Sequence, residues 1–526
     1  MRTENAARSD RAFGWQTLTR DLVFLAVCFV FLYLHLFLLP NTPIYYEMDH
    51  VALLNDAKRM TEGDVIYKDF FEFTFPGSHL LYFGFLSIFG AKYWIANLLI
   101  LLHGLASAVL CLAISRRLIG ESFYSYLPAA IYIFFGFRWF GIDGEHRMFS
   151  PIFACVAVLI ILAKRSYGRI ALAGFACALS SFFTQQRGIL AVAAIGMYLF
   201  IEIALVGREW IRFIKSAIIL GLSFFASLFL MLLPFIMAAG ANVFYESTVL
   251  FLSNYVQDPD TNSLQSYLGT LAKLRTLGLW MMSVAIFYHL LIPVIYFVAL
   301  AFLWAKRKSL DTKQQSGVLL VCLMGIFLAI GTFAPNAHRM FQIAVPAVLV
   351  LGWLVYRIGN RWEFPAKIGV IGLMIFGLVL GIRLQTGWEA AILHAKSGKL
   401  AFLSPVLIER YTWLSEHASP GDYVYETYNS HVNFPLHLRN PSRISVLLNT
   451  GYTPQSQLTQ AIDDLKTTNA RYIIWDGAWT DEMASLEENE KLKRFYLFLT
   501  SNYVLRQKFS PYDGRQREIW ERIGDR

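Results

Sequence analysis

Apolar residues dominate the chain in long uninterrupted runs, near 22–39, 93–114, 123–137, 148–163, 169–184, 188–206, 214–238, 278–304, 317–333, 340–356 and 366–384. Each run is bounded by short polar or basic stretches, and the longer ones match the ~20 residues a helix needs to cross a bilayer. The pattern predicts a polytopic α-helical membrane protein with about eleven spans. His79 to Phe89 is also apolar, but it is short enough to favour an interfacial or re-entrant helix. From Leu403 onward the pattern changes. Ser404 to His417 has amphipathic helical spacing, Pro420-Gly421-Asp422 is a turn, and Tyr423 to Tyr428 reads as a strand. A helix near Gln457 to Leu465, a strand Arg471 to Trp475, a helix near Ala484 to Leu499 and two short strands complete a small soluble α/β C-terminal domain.

Charge orients this arrangement. With 79–89 left out of the span count and the N-terminus cytoplasmic, every cytoplasmic position is basic. These positions hold Arg2 to Arg20, Arg116-Arg117, Lys164-Arg165-Arg169, Arg208-Arg212-Lys215, Lys306 to Lys313 and Arg357-Arg361-Lys367. The expected organisation is a cytoplasmic tail at 1–21, a membrane domain at 22–390 with loops 40–92 and 240–277 on the far face, and an extracytoplasmic domain at 391–526. The membrane is expected to be a bacterial inner membrane. Of the 526 residues, 56% are hydrophobic and only 16% charged, which excludes an ordinary soluble enzyme. The net charge of +9 is dispersed in clusters at helix ends, so nucleic acid is not an expected partner. Five cysteines lie singly in apolar runs and predict neither disulfides nor a cysteine metal site.

The polar residues that carry chemistry fall in the far-face loops. Glu47-Met48-Asp49-His50 follows the first span, with Asp69 further along the same loop. A carboxylate at a membrane surface facing a cavity can act as a general base, although water-edge charges that end a helix have the same look. Asp143-Gly144-Glu145-His146-Arg147 offers oxygen and nitrogen ligands for a divalent metal and an arginine for a phosphate. Solvation of a short loop is the expected role of Asp143. Arginine on the far face is the exception to the positive-inside rule, so Arg147, Arg187 in Gln185-Gln186-Arg187-Gly188, and Arg339 beside His338 call for an anionic ligand such as a lipid phosphate. Each alone can equally snorkel to the interface. His35, His103 and His289 are expected to be satisfied core or interfacial residues.

Asp49-His50, Glu62-Gly63, Tyr67-Lys68-Asp69-Phe70-Phe71 and Phe75-Pro76-Gly77 together resemble the first extracytoplasmic loop of the multi-spanning GT-C glycosyltransferases, which include protein O-mannosyltransferases and lipid A aminoarabinose transferases. Phe75 stands where that family has the first proline of a pair. His338-Arg339-Met340-Phe341 to Val345-Pro346 is similar to a later His-Tyr segment, with Arg339 in place of the usual aromatic. The resemblance implies inverting transfer of a sugar from a polyprenyl-phosphate donor to an extracytoplasmic acceptor, with membrane lipids as surroundings. Asp49 would be the base, and Arg187, Arg339, His338 and Arg147 would meet the departing phosphate. Glu47, His50, Asp69, Glu145, His146 and Tyr255 are candidate acceptor or loop contacts. No cofactor is expected, since these cations can do a metal's work; a divalent ion is the alternative. The segment 240–277, with Phe244, Tyr245, Tyr255 and Asp258, reads as a gate or as a passive connector. A lipid-linked sugar transporter or flippase, or a lipid-binding scaffold without catalysis, would use the same arginines without needing Asp49 as a base. The sequence names neither sugar nor acceptor.

Overall fold

The computed structural model describes residues 2–163, 166–257, 279–308, 310–332, 335–359, 362–387, 389–449, 452–488, 490–512 and 514–524. Lipid offers the backbone no hydrogen-bond partners, so the apolar runs fold as helices that satisfy their own N–H and C=O groups. Among the described residues, seven helices are long and apolar enough to cross a membrane: Trp15–Leu36, Trp94–Ile119, Gln185–Val206, Trp210–Ala239, Met281–Ala305, Thr312–Ile330 and Glu363–Thr386. The remaining four runs are shorter helical pieces. They are His146–Leu162, Tyr167–Phe183, Val345–Ile358, and a composite of Leu127–Ala130, the wider-wound Ile131–Phe137 and Arg138–Phe140. The chain is an integral membrane protein.

Packing order follows residue size and polarity. The apolar window of Trp94–Ile119 is 61% buried in protein, against 17% for Trp210–Ala239, so the former is central and the latter faces lipid along most of its length. Trp94–Ile119 packs on His146–Leu162, Arg2–Leu36 and Val345–Ile358, while Tyr167–Phe183 is held between His146–Leu162 and Trp210–Ala239. Gly188 lets two helices touch at backbone distance. A Cβ there would lie 2.2 Å from the Cys177 carbonyl oxygen and 2.3 Å from the Ser181 nitrogen. His35, His103 and His289 are buried as expected, and all five cysteines are free and buried.

The first loop carries a helix at Asp49–Thr61 and a second at Gly77–Phe89, whose 13 residues are too few to span. The second helix starts where Gly77 meets the membrane bundle, since a Cβ there would come within 2.7 Å of the Phe182 carbonyl oxygen. The C-terminal region begins with a hairpin, Ala391–Ala395 paired with Gly398–Phe402, which the sequence pattern did not announce. Pro405–His417 follows, its N-terminus capped by the Ser404 side chain. A four-stranded sheet then forms. Val424–Glu426 runs parallel to Tyr472–Asp476, which pairs antiparallel with Arg517–Arg522, itself antiparallel to Tyr503–Lys508. Two expectations are corrected here. The strand expected over 423–428 is only Val424–Glu426, and the single helix expected near 484–499 is two, Thr480–Ser485 and Lys493–Asn502. The break falls where the Glu490 carboxylate accepts the Glu487 N–H at 3.0 Å, a local turn that competes with helical bonding. Gln455–Thr468 fills the expected helix near Gln457.

Substituting Gly188→Val forces its two helices apart. We expect a loss of ~1–3 kcal/mol or more, read as a lower unfolding temperature of the purified protein in detergent.

Candidate active site

Four helix starts gather around a cavity of about 1350 Å3 at the end of the bundle that carries the C-terminal region. Asp49 opens the helix Asp49–Thr61. Glu145 immediately precedes His146–Leu162, bringing His146 and Arg147 into its first turn. Arg187 lies in the first turn of Gln185–Leu199, and Asn336 caps the short helix Ala337–Gln342 that presents His338 and Arg339. A helix N-terminus favours negative charge near it, so these elements aim an anion-binding bias at one place before any side chain is counted.

The side chains form one network. The Arg147 guanidinium contacts the Glu145 carboxylate and lies 3.8 Å from Asp49 Oδ2. His338 Nε2 is 3.5 Å from Glu145 Oε1 and 3.9 Å from Asp143 Oδ2. Arg187 donates to the Arg147 carbonyl oxygen and, at 3.2 Å, to the Gln342 side-chain oxygen; the Gln342 amide in turn donates to Glu145. His50 is fully buried, with Nδ1 3.1 Å from Asp143 Oδ1 and Nε2 3.1 Å from the Tyr93 hydroxyl. Asp143, expected to be a solvated loop residue, is only 4% exposed and belongs to this network. The reason is the His50 ring and backbone N–H, which supply it with donors inside the protein.

Arg147, Arg187 and Arg339 line a smaller chamber of about 420 Å3. It shares Phe73, Thr74, His146, Arg147, Tyr255 and Arg339 with the large cavity, so the two are continuous. Asp49 sits on the large cavity's wall with 58% of its side-chain surface open to that space. Partial loss of water and the negative charges of Asp143 and Glu145 push its carboxyl up to about 6, with Arg147 pulling the other way. Glu145 shows the opposite outcome. Burial alone would raise it, but Arg147, His338 and His146 hold it well below the usual carboxylate range. Burial works against charge on His338, yet Glu145, Asp143 and Asp49 raise its affinity for a proton.

The other sequence candidates scatter. Tyr255 lines the cavity, with its hydroxyl 3.4 Å from Arg339, and packs tilted against Phe73 and edge to face with Tyr452. Glu47 turns away to the C-terminal region, where it accepts from Arg410 at 2.7 Å. There Arg410, His431 and Arg517 hold it well below the carboxylate range against the push of burial. Asp69 accepts the Val65 N–H at 2.7 Å and does not line the cavity. Asp258 lies outside the described residues. Sequence reasoning missed Gln342, whose signal was its position one turn after His338, and the cavity-lining Asp56, Tyr428 and Tyr452. Glu72 is another such residue. It lines the cavity and, with Asp56, flanks the buried His79, whose proton affinity those two carboxylates raise to about 9 despite burial.

Three groups bring one ligand atom each within 4.8 Å of one another: Asp143, Glu145 and His338; Asp56, Glu72 and His79; Glu47, Glu426 and His431. In each, a cationic side chain already faces the carboxylates: Arg147 at Glu145, His79 itself between Asp56 and Glu72, and Arg410 at Glu47.

No family model and no curated protein matches this sequence. Solved structures do. ArnT from Cupriavidus metallidurans, bound to undecaprenyl phosphate, superposes with a TM-score of 0.59 at 11% identity, over 97% of this chain and 98% of that one. The apo oligosaccharyltransferase of Archaeoglobus fulgidus gives 0.51 at 12% identity, over 94% of this chain and 74% of that one. At such identities the likeness is one of fold alone, shared with ArnT and with that oligosaccharyltransferase.

Proposed function

We propose that this protein is an inverting glycosyltransferase that moves a sugar from a polyprenyl-phosphate donor to a hydroxyl of an acceptor. The observation that carries the reading is the position of Asp49, whose carboxylate stands where the large cavity meets the network leading to Arg147, Arg187 and Arg339. The undecaprenyl phosphate bound by the ArnT neighbour supports a lipid phosphate as the donor's carrier. Asp49 takes the proton of the acceptor hydroxyl as its oxygen bonds the anomeric carbon from one face. The bond from that carbon to the phosphate oxygen breaks on the other face, and the electron pair leaves with the phosphate. Arg147, Arg187, Arg339 and His338 meet that charge with charge-assisted hydrogen bonds.

A carboxyl raised to about 6 is ionised at neutral pH and more basic than an ordinary aspartate, which is what a general base requires. We read the reaction as metal-free, because Arg147 already occupies the side of Glu145 and Asp49 that an ion would need. The same reading keeps residues 1–21 in the cytoplasm, 22–390 in a bacterial inner membrane and 391–526 on its outer side, where no nucleotide sugar is available and activation must arrive on a lipid.

Purified Asp49→Asn protein, given a panel of polyprenyl-phosphate sugars, should release polyprenyl phosphate ~10²–10⁴-fold more slowly than wild type while still binding the lipid phosphate. Full release by that variant would remove the transferase mechanism and leave transport or lipid binding. Turnover should fall with acid along a limb centred near pH 6, because protonated Asp49 cannot accept the hydroxyl proton. A rate flat from pH 5 to 7 would exclude Asp49 as the titrating base. Wild-type activity should survive exhaustive EDTA treatment; loss restored by Mg²⁺ or Mn²⁺ would instead assign Asp143, Glu145 and His338 as metal ligands.

A further inference from the structure

A second cavity of about 640 Å3, lined by Asp49 but by none of Arg147, Arg187 and Arg339, opens between the first loop and the C-terminal region. Asp49 and Tyr428 line both it and the large cavity, so the Asp49 carboxylate stands on the boundary between them. Most of the charge in this second cavity is internally matched. Arg410 pairs with Glu47 at 2.7 Å and Glu426 at 3.5 Å, while Arg517 lies 3.3 Å from Asp476, 3.8 Å from Glu47 and 3.9 Å from Glu426. Two buried guanidiniums therefore face three carboxylates, as buried charge demands.

Arg515 is different. Among the described residues no carboxylate lies within ion-pair distance of it, and its Nη1 is buried with no hydrogen-bond acceptor. Its guanidinium lies over the Tyr428 ring, 3.1 Å from the ring centre. Stacking fixes the flat group in place at the wall of this cavity. A buried N–H without an acceptor costs free energy that an incoming oxygen restores, and a planar fork of N–H donors suits a phosphate or carboxylate best.

We infer that this second cavity is the acceptor site, and that the acceptor presents an anionic oxygen, phosphate or carboxylate, to Arg515 while its reacting hydroxyl reaches Asp49. The inference rests on the glycosyltransferase reading above. It gives the two reactants separate approaches to Asp49: the phosphate leaves toward Arg147, Arg187 and Arg339, and the hydroxyl arrives through the cavity lined by Arg515. The acceptor's O–H proton passes to Asp49, and its oxygen takes the place of the phosphate oxygen on the anomeric carbon. The anionic group lies either on a water-soluble glycan or on a lipid headgroup; the chemistry at Arg515 is the same.

The test uses the full-length protein in phosphatidylcholine nanodiscs, with radiolabelled glucose 6-phosphate as the anionic probe and glucose as its neutral counterpart. Wild type and Asp49→Asn should bind glucose 6-phosphate in preference to glucose. Arg515→Gln should bind it at least about tenfold more weakly, the loss of one charge-assisted hydrogen bond. Arg515→Lys, which keeps the charge, should recover part of the affinity and guard against a folding defect. Adding phosphatidylglycerol to the nanodiscs separates the sources: displacement of the sugar phosphate points to a lipid headgroup, and undisturbed binding to a soluble glycan. Equal binding by wild type and Arg515→Gln, or no binding by wild type in phosphatidylcholine, overturns the inference. Release of polyprenyl phosphate is followed separately. Asp49-dependent release without Arg515-dependent binding removes only the acceptor assignment, whereas Arg515-dependent binding without release leaves an anion site and removes the transferase reading.

Discussion

The interaction on which the site depends is the contact between Arg147 and Glu145, two charges removed from bulk water at the start of one helix. Neither is tolerable there alone, since a buried charge that loses its partner costs ~3–5 kcal/mol. Around this pair the rest is organised. Gln342 and His338 satisfy the second oxygen of Glu145, the Arg147 side chain approaches Asp49, and the Arg147 carbonyl oxygen holds Arg187. Four segments of the chain are thereby fixed to one another by polar contacts.

The C-terminal region is fastened to that centre through the first loop rather than through the membrane helices. Arg443 donates to the carbonyl oxygens of Tyr67 and Lys68, its own carbonyl accepts from the Phe71 N–H, and Arg59 reaches the Ser442 carbonyl oxygen. Tyr45 and Tyr411 share a hydrogen bond at 2.5 Å, and Glu47 is enclosed by Arg410, His431 and Arg517. Because Glu47 precedes Asp49 by two residues, the soluble region sets where the helix bearing Asp49 begins. Aromatic rings complete the enclosure: Phe73, Phe251, Tyr255 and Tyr452 pack edge to face or tilted, with centres 5.2–6.2 Å apart.

Much of this was legible in the sequence because lipid enforces a simple code. The seven long helices follow directly from uninterrupted apolar runs, and the 13-residue length of Gly77–Phe89 agrees with leaving it out of the span count. The candidate arginines were visible as violations of a charge rule, and the structure gathers Arg147, Arg187 and Arg339 around one chamber. What stayed hidden depends on distant segments meeting. Asp143 looked like a solvated loop residue because its partners, His50 and His338, lie on other loops. Tyr428 lies just past the end of a strand whose length the pattern overstates, and Asn429, Ser445 and Tyr452 come from irregular segments with no periodicity to read. The hairpin Ala391–Phe402 was missed because its strands are short and follow directly on the last apolar helix.

Arg187 illustrates how a protein keeps a charge available at the edge of a membrane. The two partners that fix its guanidinium, the Arg147 carbonyl oxygen and the Gln342 amide oxygen, are both neutral. They satisfy its geometry without cancelling its electrostatic field, which a carboxylate partner would have done. Guanidinium keeps its charge across the physiological range, so Arg187 brings to the small chamber a positive charge that no carboxylate hydrogen-bonded to it offsets.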